Sequence, residues 1–174
     1  MFRSEGLVQA YTGNGKGKTT AAIGQALRAA GQGARVGIVF FMKGSKNYGE
    51  FKALEHFPNV KTAWAGRHYC IACGEETDID YSEARRGLQA AKQFLKEGYD
   101  MVVLDEISIV LMHHLAAQKE IEEIIRTKPE KTELILTGIS MPATLVQMAD
   151  LVTEMKEIKH PYHKGVTARK GIEY

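Results

Sequence analysis

The hydrophobic pattern of the chain alternates between short continuous apolar runs and longer stretches with helical spacing. Gly6 to Tyr11 is a short strand that runs into a glycine-rich loop. A helix beginning near Lys18 carries Ala22, Ile23, Ala26, Leu27 and Ala30 on one stripe and stops at Gly31 and Gly33. Arg35 to Phe41 is apolar without polar alternation, the pattern of a strand covered on both faces of a parallel sheet. Strand, helix and strand in this short span make a βαβ unit.

The alternation continues to near the end. Gly49 to His56 reads as a short helix, and Val60 to Ala65 as a strand after the Pro58-Asn59 turn. Ser82 to Glu97 is a covering helix with Ala84, Leu88, Ala91, Phe94 and Leu95 on one face, ended by Gly98. Asp100 to Glu106 is a buried strand that finishes in two carboxylates. Ile107 to Leu115 and Ala117 to Arg126 read as helices, the second turning Ala117, Ile121, Ile124 and Ile125 inward. His113 and His114 are assigned to a helix surface, because nothing in the sequence places a carboxylate or cysteine beside them. Glu133 to Gly138 is a further buried strand, and Pro142 to Ala149 a short helix with proline in its first turn. Leu151 to Ile158 alternates, which predicts an edge strand with one wet face. His160 to Tyr174 has no periodicity. It reads as a frayed terminus or, through His160, Tyr162, His163, Lys164, Arg169 and Lys170, as a segment that folds over an anionic ligand.

The candidate chemistry starts at the first strand-to-helix junction. In Thr12-Gly13-Asn14-Gly15-Lys16-Gly17-Lys18-Thr19-Thr20, alternate glycines let backbone N–H groups converge on phosphate oxygens, and the helix N-terminus adds its positive dipole end. Lys18 would reach the phosphates and the Thr19 hydroxyl would face Mg²⁺, in the pattern G-x-x-x-x-G-K-[ST], which wants glycine where Thr12 stands. Gly13 to Thr20 are therefore the candidate ATP-binding residues. An acid delivered by a buried strand is the second part of such a site, so Asp105 and Glu106 join Thr19 as candidate ligands of Mg²⁺ or Mn²⁺. Lys43, in the loop after the second strand, lies where ligands of open α/β sheets bind. Together these readings predict an α/β, P-loop NTPase-like (RecA-like) fold: a mostly parallel sheet with helices on both faces, as one domain over residues 1–174.

Composition narrows the class without changing it. The 174 residues carry a net charge of +2, with 44% hydrophobic and 25% charged positions, so no nucleic-acid footprint is visible. No stretch approaches the ~20 apolar residues of a membrane span. The opening Met1-Phe2-Arg3-Ser4-Glu5 has no apolar signal run, and two cysteines suit a reducing compartment, so a cytoplasmic location is expected. His68, Cys70 and Cys73 offer three of the four ligands of a structural zinc site, and Cys70-x-x-Cys73 has redox spacing. A loop packing two ordinary thiols is the preferred reading there.

Several separated pieces resemble the cob(I)alamin (ATP:corrinoid) adenosyltransferases of the CobA/BtuR type. They are the loop from Thr12 to Ala22, Phe41-Met42-Lys43-Gly44 with Gly49-Glu50, the acidic strand from Asp100 to Glu106, Lys159-His160, and the ending Gly165-Val166-Thr167-Ala168 to Gly171-Ile172-Glu173-Tyr174. Family members often carry an aromatic pair after the third strand, near the corrinoid; here Gly66-Arg67-His68-Tyr69 stands in its place. Some also carry an N-terminal helical extension over the site, and its absence from this sequence implies a more open pocket. The resemblance implies transfer of the 5′-deoxyadenosyl group from ATP to cobalt, with triphosphate leaving, and Lys43, Arg67, His68 and Tyr69 as corrinoid contacts. The partners it implies are ATP, cob(I)alamin or a related reduced corrinoid, a cobalt-reducing flavoprotein and a second copy of the chain. Two other classes fit the same motifs: a phosphotransferase or ATPase such as a nucleoside kinase, which would yield ADP, and a non-catalytic ATP- or corrinoid-binding protein.

Overall fold

The computed structural model describes residues 5–44, 48–67 and 75–174. The apolar runs form β1 (Val8–Thr12), β2 (Val36–Phe41), β3 (Val60–Ala65), β4 (Met101–Asp105), β5 (Glu133–Thr137) and β6 (Leu151–Glu154). They make one six-stranded sheet in the order β3-β2-β4-β5-β1-β6. Every neighbouring pair is parallel, with Val39 opposite Leu104 and Leu104 opposite Leu136 across the centre. This is the α/β, P-loop NTPase-like architecture expected. Parallel strands place all their carboxyl ends along one side of the sheet, which is where the loops of interest gather.

Alternation along the strands divides the core in two. Val39, Phe41, Val102, Leu104, Leu134 and Leu136 face the helices α3 (Asp78–Lys96), α4 (Ile107–Met112), α5 (Gln118–Thr127) and α6 (Ala143–Met148). Ile38, Phe40, Val103 and Ile135 face α1 (Lys18–Gly31) and α2 (Gly49–Leu54). The buried face of α1 is mostly alanine, so the helix lies close as it crosses β1, β5, β4 and β2. A short 3₁₀ helix, Pro161–Lys164, follows β6. Among the described residues no helix is long and apolar enough to cross a membrane.

Three expectations need correction. α3 starts at Asp78, one turn before Ser82, because Thr77 and Asp80 form a capping box: the Asp80 carboxylate accepts from the Thr77 backbone N–H at 2.8 Å. β6 is an edge strand as expected but ends at Glu154, and all four of its residues are exposed rather than one face. His113 is buried, and its Nδ1 lies 2.6 Å from Glu76 Oε1, so it is not a surface residue. The carboxylate that joins it is 37 residues away in sequence.

The helices press closely on the sheet. A Cβ on Gly37 would sit 2.5 Å from Phe94 Cδ2 and 3.0 Å from Phe94 Cβ. Phe94 Cβ is fixed to the α3 backbone, so relief requires the helix to lift or the ring to leave its rotamer. Gly37→Ala should therefore destabilise the fold by about 1–3 kcal/mol, read as a lower urea midpoint at unchanged slope.

Candidate functional site

The loop after β1 is shaped by its glycines. Gly13 has φ 100° and Gly17 has φ 119°, values that a side chain rarely adopts. Gly15 is required for a different reason: a Cβ there would lie 2.8 Å from the Met155 carbonyl oxygen. The chain leaving β6 is hydrogen-bonded against the loop, with the Gly15 N–H donating to Met155 O at 2.7 Å and the Met155 N–H to Thr12 O at 2.8 Å. The Asn14 side chain accepts from the Glu157 N–H at 3.0 Å. Gly17 caps α1, and the Lys18 ammonium is folded back onto the Gly15 carbonyl at 2.7 Å, buried in the loop.

Opposite the loop, β4 delivers Asp105 with no exposed surface. One of its oxygens accepts from the Thr137 hydroxyl at 2.7 Å and the other lies 2.8 Å from the Lys43 ammonium. Lys43 Nζ also stands 3.5 Å from Thr19 Oγ1, so one cation bridges the acidic strand and the first turn of α1. Burial works to lower the Lys43 pKa, but the Asp105 charge and hydrogen bond, with Glu106 and Glu50 further off, outweigh it and raise the pKa. Glu106 has φ 62° and caps α4, its N–H donating to Thr137 Oγ1 at 2.9 Å. Burial, then the adjacent Asp105 charge, pushes the Glu106 carboxyl above the usual range, with Lys43 and Lys18 pulling it back.

Of these groups, Lys18, Thr19, Lys43 and Glu106 open onto a cavity of about 650 Å³, within the size range of small-molecule sites. Lys16 to Thr20, Lys43 and Glu106 form one wall; Ile23, Leu27 and Tyr48 add apolar surface. The end of the chain forms another wall, with His160 and Gly171 to Tyr174. The Lys16 ammonium donates to Ile172 O at 3.1 Å and pairs with Glu173 at 3.2 Å. Arg169, through its guanidinium and its backbone N–H, holds the Glu173 carboxyl down to about 2. The segment is thus neither frayed nor free at these positions.

The structure brings together Gly13 to Thr20, Lys43, Asp105 and Glu106. The Arg67 backbone lies against Gly44, next to Lys43, but its side chain turns to α3, with Nε 2.6 Å from Asp80 Oδ1 in a buried ion pair. His68, Tyr69, Cys70 and Cys73 fall outside the described residues. Thr137 was missed by sequence reasoning; its signal was a polar residue at the tip of an otherwise apolar strand. Among the described residues no group of three His, Cys, Asp or Glu side chains is placed to hold a metal ion. A cation here would draw on hydroxyl and ligand oxygens as well, as Mg²⁺ commonly does.

Residues 4–174 match the family described as ATP:corrinoid adenosyltransferase BtuR/CobO/CobP. The chain is 34% identical over 171 residues to the corrinoid adenosyltransferase of Escherichia coli K12, covering 97% of this chain and 86% of that protein. It is equally similar to the Salmonella typhimurium corrinoid adenosyltransferase CobA, at 34% identity and the same coverage. The corrinoid adenosyltransferase of Pseudomonas aeruginosa is 32% identical over 97% of this chain and 84% of its own length.

The tail contact has a pH signature. The depressed carboxyl, held first by Arg169 within the tail and less by Lys16, favours these contacts above the unfolded carboxylate range and loses that effect as pH falls toward about 2. A carboxyl-carbon NMR titration should give Glu173 a midpoint of about 2, and Arg169→Gln should return it toward the ordinary glutamate range.

Proposed function

Because the chain belongs to the ATP:corrinoid adenosyltransferase family, we propose that it transfers the 5′-deoxyadenosyl group of ATP to the Co(I) centre of a reduced corrinoid, releasing triphosphate. The observation that carries this reading is the family match over residues 4–174. In the transfer, the Co(I) electron pair attacks C5′ of the ribose, the cobalt–carbon bond forms, and the C5′–O5′ bond breaks with its electrons going to the triphosphate. Co(I) is itself a strong nucleophile, so the reaction needs no protein base or protein nucleophile. What it needs is stabilisation of the charge gathering on triphosphate.

The residues fit that need. Lys18 leaves the Gly15 carbonyl to take a phosphate oxygen, and the loop amides from Gly13 to Thr20 with the α1 N-terminus supply further donors. Thr19 and Asp105, with Glu106 close by, are the donors for Mg²⁺ or Mn²⁺, and an ammonium already bridging Thr19 and Asp105 supports a cation at that point. Bound there, the metal would neutralise charge on the leaving oxygens. The nucleoside end of ATP then has Ile23, Leu27, Tyr48, Ile172 and Tyr174 for its apolar surface. C5′ rather than the γ-phosphate must meet the second substrate, so ATP lies in an orientation unusual for a phosphate loop or the corrinoid enters from the ribose side. A nucleotide-bound structure with C5′ buried away from any corrinoid-sized opening would exclude both arrangements. Arg67, His68 and Tyr69 belong to the proposal as corrinoid contacts. A homodimer, a cobalt-reducing flavoprotein and a cytoplasmic setting also belong to it, with residues 1–174 acting as one domain.

Anaerobic incubation with Mg·ATP and chemically reduced cob(I)alamin should yield adenosylcobalamin, followed by absorbance, and triphosphate on phosphate analysis. ADP with unchanged corrinoid would move the assignment to a phosphotransferase. Lys18→Ala should lower kcat by about 10²–10³-fold, the scale for removing one preorganised donor to developing charge.

A further inference from the structure

The Lys43 ammonium occupies the point between Thr19 and Asp105 where the proposed function puts a divalent cation, and the inference drawn here rests on that reading. We infer that Lys43 is the resident cation of the nucleotide-free protein: it excludes free metal from Asp105, and moves onto the triphosphate when metal and nucleotide enter together.

The geometry carries this. Lys43 Nζ lies 2.8 Å from Asp105 Oδ2 and 3.5 Å from Thr19 Oγ1. The other Asp105 oxygen is held by Thr137 at 2.7 Å and the carboxylate has no exposed surface, so Asp105 cannot turn to offer a fresh oxygen. A divalent ion at Oδ2 therefore competes directly with the ammonium. Two like charges a few ångströms apart in a half-buried pocket repel by several kcal/mol at an effective dielectric of roughly 20. A triphosphate that enters with the metal relieves this repulsion, because it neutralises the added charge and gives the displaced ammonium new oxygens to bind.

The lysine is also built to move. Its flexible stem carries a compact point charge, and the ammonium stands 5.4 Å from the Phe40 ring centre and 5.6 Å from that of Tyr48. Of the two, Tyr48 lines the cavity, and its ring face can hold a cation along the way. Arginine at this position would keep the charge, whereas methionine keeps the stem and removes it.

The consequence is a coupling between metal and nucleotide that can be measured without turnover. Mn²⁺ binding to the full chain, followed by the electron paramagnetic resonance signal of free Mn²⁺, is compared for the unaltered protein, Lys43→Met and Lys43→Arg, with and without ATP. Without ATP, Lys43→Met should bind Mn²⁺ at least about tenfold more tightly than the unaltered protein, a usual size for site-to-site coupling. Lys43→Arg should remain weak, and the tightening of Mn²⁺ binding by ATP should shrink in Lys43→Met by a matching factor. Mn²⁺ binding to nucleotide-free Lys43→Met that is unchanged or weaker would overturn the inference. Lys43→Gln takes the place of Lys43→Met if circular dichroism shows the latter unfolded. Asp105→Asn separates the two levels: if it leaves Mn·ATP affinity unchanged, the metal-site reading itself fails. If it weakens Mn·ATP while Lys43→Met leaves free-metal binding unmoved, the role of Lys43 alone fails.

Discussion

A carboxylate with no exposed surface at the tip of the central strand is the constraint around which this molecule is arranged. An unpaired ion in such a place costs several kcal/mol, and each neighbour of Asp105 meets part of that requirement. Thr137 reaches it from β5, Lys43 from the end of β2, and Thr19 lies across from it on the first turn of α1. The groups around Asp105 thus come from three segments far apart in sequence. Parallel strands are what allow this, because they bring all these carboxyl ends to one side of the sheet. Fold and site are linked by the same hydrogen bonds.

The glycines of the phosphate loop serve two masters in physical terms. Gly13 and Gly17 provide backbone conformations that other residues resist, as phosphate binding requires. Gly13 and Gly15 also leave room for the chain emerging from β6, whose Met155 backbone lies against them. Asn14 then fixes the start of the following segment through Glu157. From there the chain reaches back to the cavity at Gly171 to Tyr174, tied to the loop by Lys16. The exposed Lys16–Glu173 pair contributes little stability by itself. Its effect is positional, giving the cavity a wall that strand β6 alone would not supply.

The elements with strong periodicity were legible in the sequence: the buried strands β2, β4 and β5, the alanine stripe of α1 and the apolar faces of α3 and α5. Continuous apolar runs can only be covered on both faces, which made the parallel sheet readable. The positions of the Gly13 to Thr20 loop after β1 and of the Asp105-Glu106 pair at the end of β4 were legible because each follows directly on a readable apolar strand. What was not legible depended on distant partners. The His113 and Glu76 contact spans 37 residues and left no local pattern, so periodicity placed His113 on the surface. The first turn of α3 was hidden because its acidic residues look like loop until Thr77 and Asp80 are seen capping one another. Thr137 read as the end of a strand, and only the three-dimensional meeting of β4 and β5 gives it a role.

The same distinction bears on how chemistry is divided between protein and substrates. When the nucleophile is a metal centre carried by the second substrate, a protein needs no base aimed at the reacting atom. The site holds opposed charges at short range, Lys43 against Asp105 with Lys18 and Glu106 beside them, and a loop of amides. The Lys43–Asp105 pair lets that carboxylate be buried without a bound metal. Lys43 is what makes that balance workable, since its burial is offset by Asp105 and its charge persists. Glu106 adds the complementary tension, a carboxyl pushed toward its neutral form by burial and by Asp105. A pocket tuned in this way favours whatever brings positive and negative charge together, and a metal-bound triphosphate is that kind of ligand. On the role inferred for Lys43, the whole complex is favoured over its parts because the displaced ammonium gains phosphate oxygens as the metal takes its place at Asp105.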